Sequence, residues 1–127
     1  MQGETMYKIL IIIFCVLITF PALAKHKHLE KYYQEKWCLE NKGQVEVTLP
    51  DKTRCDCITD NHAIEHDFGS KWAEAIGQSL YYSLQTGKRS GVVLILEKPK
   101  DLKYWIRLNS TIQHFKLPID TWKIENF

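Results

Sequence analysis

The stretch TRCDCITDNHAIEHDFGSKWAEAIGQSLYY, residues 53–82, decides the fold. Thr53 to Thr59 is a short strand-like run that closes on Asp60-Asn61, a two-residue turn, and His62 to Phe68 continues as a second strand, so the two form a hairpin. Gly69-Ser70 breaks the pattern. With Ser70 placed as an N-cap, the spacing predicts a helix running to Thr86 and stopped by Gly87.

Working outward, Gln44 to Leu49 alternates Val45, Val47 and Leu49 with polar residues before Pro50-Asp51 turns the chain, which adds a strand in front and makes a three-stranded meander. Ahead of it, Leu29, Tyr32, Tyr33 and Trp37 recur at helical spacing over Leu29 to about Asn41, and Lys42-Gly43 supplies the stop. Beyond the second helix, Gly91 to Leu96 is apolar on both faces, the signature of a central strand covered on both sides. Asp101 is placed as the cap of a third helix carrying Leu102, Trp105, Ile106, Ile112 and Phe115, and Pro118 ends it before a short strand, Thr121 to Ile124. The order is helix, three strands, helix, strand, helix, strand. This is the α/β class, with a mixed central sheet.

The chain has 127 residues, enough for one ordinary domain, and its 45% hydrophobic and 25% charged composition excludes disordered and fibrous classes. A formal net charge of +2 lacks the basic excess that announces nucleic-acid affinity, so any such role must come from a site. Lys8, the apolar run Ile9 to Phe20 and the closing Pro21-Ala22-Leu23-Ala24 read as a secretory signal peptide, residues 1–24, leaving residues 25–127 as a single domain. The apolar run is shorter than the roughly 20 residues of a membrane span. The expected location is therefore periplasmic or secreted, without stable membrane association after cleavage. His26 and His28, with Lys25 and Lys27, predict a flexible basic start. In such a compartment cysteines pair, yet Cys38, Cys55 and Cys57 are an odd set. Either Cys55 or Cys57 is placed to meet Cys38, against the alternatives of three buried thiols or a bond between chains.

Alternation puts Arg54, Asp56 and Ile58 on one strand face, with Cys55 and Cys57 on the other, and puts Ala63, Glu65 and Asp67 on one face of the next strand. If the register joins these faces, Asp56, Glu65 and Asp67 converge. Two like charges about 4 Å apart repel by roughly 1 kcal/mol in water and about 4 kcal/mol at an effective dielectric of 20. Such a cluster calls for a proton or a hard divalent cation. Lys71, Ala75, Gln78 and Tyr82 share one helical face beside it. His62 and His66 fall on the opposite strand face with Ile64 and Phe68, as packed or surface residues rather than ligands.

The order α-β-β-β-α-β, an Asp on the second strand, a Glu on the third and a Gln-x-x-x-Tyr helix directly after resemble the PD-(D/E)XK nuclease superfamily, in particular its RecB-type branch. The resemblance covers Leu29 to Leu96 and implies a restriction-endonuclease-like αβββαβ core. By it, Asp56 matches the metal-binding Asp, Glu65 the second ligand, and Gln78 and Tyr82 the helix motif. It implies Mg²⁺ or Mn²⁺ as cofactor and hydrolysis of phosphodiester bonds, in DNA before RNA. Cys55 stands where the superfamily has Pro, and Asp67 where it has Lys. Asp67 is then a further ligand and Lys71 the substitute ammonium, with Glu35 or Glu40 of the first helix as a further member. The alternatives are an inactive exported binding module on the same fold and a disulfide-linked envelope protein.

Overall fold

The computed structural model describes residues 25–127; the proposed signal peptide lies outside them. Helix α1 (Glu30–Glu40) precedes the meander β1 (Gln44–Thr48), β2 (Arg54–Ile58) and β3 (His62–Phe68). A single 3-10 turn, Gly69–Lys71, leads into α2 (Trp72–Thr86), followed by β4 (Arg89–Leu96), a second 3-10 turn (Pro99–Asp101), α3 (Leu102–Phe115) and β5 (Ile119–Glu125). The strands form one five-stranded mixed sheet in the order β1-β2-β3-β4-β5. The first three run antiparallel, and β3, β4 and β5 run parallel. Gly87 ends α2 at φ 69°, the left-handed geometry that suits a residue without Cβ.

β4 is central, and its side chains divide the core. Val92, Leu94 and Leu96 pack with Ala75 of α2 and Leu108 of α3. Val93 packs on the other face with Ile64 and Cys38, and Ile95 with Tyr33 and Phe68, under α1. The molecule is thus a sheet covered on both faces by helices, the usual solution for parallel strands. Among the described residues no helix is long and apolar enough to cross a membrane.

Several local expectations change. The buried face of α1 is Tyr33, Gln34 and Cys38, while Leu29 (80% exposed) and Tyr32 (48%) point outward, because the helix turns its Tyr33 side to the sheet. Ser70 makes no capping bond, since the 3-10 turn intervenes before α2. The Asp101 carboxylate instead receives the N–H groups of Glu97 and Lys98 behind it, at 3.0 and 3.1 Å. Cys38 is bonded to Cys57. Cys55 is a free, fully buried thiol clustered with Leu49, Ala63 and Tyr82, so it is not available for a bond between chains. The two strand cysteines serve different clusters where the β1–β2 ladder skips the Glu46–Asp56 pair and Glu46 takes φ 51°.

The start of the domain is docked rather than flexible. Glu97, buried at the end of β4, accepts from His26 Nδ1 (2.7 Å), the N–H of Lys27 (2.9 Å) and the hydroxyl of Tyr33 (2.7 Å). The His26 ring also stacks on Phe68, with centroids 3.6 Å apart. Burial alone would raise the Glu97 pKa, but the donated bonds, Tyr33 and His26 foremost, outweigh it and hold the carboxyl below its usual range.

Candidate acidic site in the fork between β2 and β3

β3 pairs with β4 along its whole length, from His62↔Arg89 to Phe68↔Ile95, but with β2 only at Cys57↔Ile64 and Ile58↔Ala63. Past Ile64 the two strands part. The N–H of His66, on the edge that β2 has left, donates to Oδ2 of Asp56 at 2.7 Å. The main-chain oxygen of Asp56 accepts from Nε2 of Gln34 on α1 at 3.0 Å. Asp56 therefore mends the ladder at the mouth of the fork, as buried backbone donors require. Arg54 does not neutralise it, reaching Glu46 instead at 3.8 Å.

Glu65 and Asp67 lie in this fork only 5% and 4% exposed. Burial, then the neighbouring Asp56, Asp67 and Glu30, push the Glu65 carboxyl far above the carboxylate range. Burial and then Glu30 push Asp67 up, with Lys71 acting against them. Asp56 rises less, because the N–H of His66 opposes the effect of burial. The carboxyls influence one another most closely in pairs, Glu65 with Asp56 and Asp67 with Glu30. A proton between two carboxyls offsets what would otherwise be a buried like-charge repulsion.

Of the residues singled out by the sequence, Asp56, Glu65 and Asp67 do come together. Tyr82 joins them: it is 8% exposed, and its phenol is pushed up to about 12 by burial and then by Glu65 and Asp56. Lys71 sits at the end of the 3-10 turn, exposed and without an ion pair among the described residues, yet near enough to favour the ionised form of Asp67. Gln78 is exposed one turn before Tyr82. Neither Glu35 nor Glu40 takes part: Glu35 pairs with Lys31 at 3.5 Å and Glu40 is exposed. The first-helix acid is Glu30. It lies three residues before Tyr33 and four before Gln34, hence on the buried face of α1, and that spacing is the signal that reveals it.

No group of three or more His, Cys, Asp or Glu side chains is arranged to hold a metal ion among the described residues. The expected ligand set Asp56, Glu65 and Asp67 is brought into one fork, but its side chains are not arranged around a common point. In chemistry the set fits Mg²⁺ or Mn²⁺, since all its donors are hard carboxylate oxygens. Oε2 of Glu65 is moreover buried with no partner, an orphan acceptor of the kind a cation satisfies.

On the opposite face of β3, His66 is fully buried with neither ring nitrogen bonded, edge-on to Trp37. His62 pairs with Asp120 at 2.7 Å. His66 is packed and His62 half-buried, in keeping with the face of β3 they share. Compared with family models, with curated proteins and with solved structures, the chain matches none.

Proposed function

We propose that this chain is an exported, divalent-metal-dependent nuclease that hydrolyses phosphodiester bonds, on a restriction-endonuclease-like core. The observation that carries the reading is the fork itself: a buried Glu65 with an orphan oxygen, flanked by Asp56, Asp67 and Glu30 from three different elements. The order α1-β1-β2-β3-α2-β4 supports it, because this is the core that the resemblance implies. The Cys38–Cys57 bond supports export, since disulfides persist in oxidising compartments.

Asp56, Glu65 and Asp67, with Glu30, would hold Mg²⁺ or Mn²⁺. Bound there, the ion activates water and stabilises charge on the phosphate. Glu65 and Asp67 release their protons on loading. Lys71, the exposed cation nearest Asp67, steadies the phosphate oxygens. The hydroxyl of Tyr82, kept protonated by burial and then by the acids, would donate a hydrogen bond to the substrate, and Gln78 flanks it. The expected substrate is DNA before RNA.

Purified protein should cut an oligonucleotide in the presence of Mn²⁺ or Mg²⁺, and Glu65→Gln should lower the rate at least about a hundredfold, a scale typical of losing a positioned electrostatic group. Activity that survives Glu65→Gln contradicts the assignment. The second reading, an inactive binding module, is favoured by Asp67 standing in the in-line Lys position. Metal and oligonucleotide binding without any cleavage would select it.

A further inference from the structure

Five consecutive residues join the acidic fork to a second feature. Asp67 and Lys71 belong to the fork, while Phe68, Gly69 and Ser70 between them line a cavity of about 210 Å³ at the carboxyl ends of β3 and β4. The rest of its wall includes Lys25, Lys98 and Lys100, none of which makes an ion pair among the described residues. Its two acids are already occupied. Glu97 is held by His26, Tyr33 and the N–H of Lys27, and Asp101 accepts the N–H groups of Glu97 and Lys98. Three ammonium groups against these two carboxylates leave the lining with a small positive excess. The location is also the one where open sheets with parallel strands commonly take ligands, just outside the strand carboxyl ends.

We propose that this cavity takes a backbone phosphate of a nucleic-acid strand, next along from the phosphodiester held in the fork. The proposal rests on the nuclease reading for the identity of the strand. Phosphate chemistry follows from the three lysines that line an open cavity, which suit an anionic chain better than a single carboxylate. A strand reaching from fork to cavity would pass over the 67–71 segment, of which Ser70 and Lys71 are exposed. It also accounts for how a chain of near-neutral net charge holds a polyanion: the acids are turned inward and the lysines stand on the rim.

The test measures binding of a fluorescent single-stranded oligonucleotide to the purified Glu65→Gln protein, which retains the strand without cutting it, with and without Lys98→Ala and Lys100→Ala together. Both lysines are exposed, so the fold is expected to survive, and an unchanged melting temperature checks this. The double variant should bind about tenfold more weakly, and the slope of log affinity against log salt should shrink by roughly 0.7, the value for one phosphate no longer neutralised. Inorganic phosphate should compete with the oligonucleotide at the unsubstituted cavity. Unchanged affinity and salt slope overturn the proposal, as does phosphate that binds at Lys98 and Lys100 while the oligonucleotide does not. The two readings fail separately. Lysine-dependent binding by a protein that never cuts DNA or RNA upholds the cavity and removes the nuclease. Cutting with unchanged KM in the double variant, made with Glu65 intact, upholds the nuclease and removes the cavity.

Discussion

Glu65 and His66 are neighbours on β3 that face opposite sides of the sheet, and both are buried with unpartnered polar atoms. Their consequences differ. The orphan oxygen of Glu65 lies among other acids and Tyr82, where a ligand has reason to bind; the buried His66 ring lies edge-on to Trp37, where none does. His66 is accordingly a cost. Burial pushes its pKa down to about 3, so the unfolded chain takes up a proton near pH 6.5 that the folded chain refuses, and stability falls as pH drops through that interval. His66→Leu should raise stability at pH 7 by about 1 kcal/mol, the scale of an unsatisfied buried polar group, and flatten the acid side of the stability curve. Urea unfolding checks this, and a loss of stability would mean that the ring makes a bond worth keeping. The alternation of β3 was legible in the sequence, and it placed both residues on their correct faces. Glu30 was masked, because the aromatic pair Tyr32 and Tyr33 reads as one apolar stripe, whereas only Tyr33 turns inward and carries the spacing that points to Glu30.

At the scale of elements, the site is made by what β2 does not do. Had β2 followed β3 to its end, Asp56 would be an ordinary ladder residue; it leaves after Cys57, and the Asp56 side chain takes over a backbone donor. The sequence carries the hairpin and its two-residue turn plainly, but not the point where pairing stops, since that depends on α1 delivering Gln34 to the Asp56 carbonyl. The Cys38–Cys57 bond ties α1 to β2 just before this point. Gly43 is packed against it: an added Cβ would lie 2.5 Å from Sγ of Cys57 and 2.7 Å from Sγ of Cys38. Two outcomes are expected. Replacing Cys38 and Cys57 by Ser should cost about 3 kcal/mol in urea unfolding, the loop-closure value for a bond spanning 19 residues. In Gly43→Ala the bond should fail to form, so that thiol titration of the denatured protein finds two more thiols than in the unsubstituted chain. An equal count would show that α1 shifts to admit the methyl group.

On the scale of the whole molecule, the formal charge of +2 counts the fork acids as ionised, whereas Glu65 and Asp67 hold their protons near neutrality, so the metal-free protein is more basic than the sum implies. That binding of protons has a sign. The folded chain keeps protons which the unfolded chain gives up near pH 4, so the contribution of the fork is complete below that pH. It is lost as pH rises through about 6 for Asp56 and about 8 for Asp67. The melting temperature of metal-free protein should therefore fall between pH 5 and pH 9, and Mn²⁺ should restore it more at pH 8 than at pH 6, since a cation replaces the protons. The central claim is that the fork is a cation site kept closed by protons. Its most direct test is calorimetric titration of Mn²⁺ into the purified protein at pH 7 in two buffers of different ionisation enthalpy. Binding with release of at least one proton, lost in Glu65→Gln, is the predicted result; absence of binding, or binding that leaves the protons in place, would contradict it.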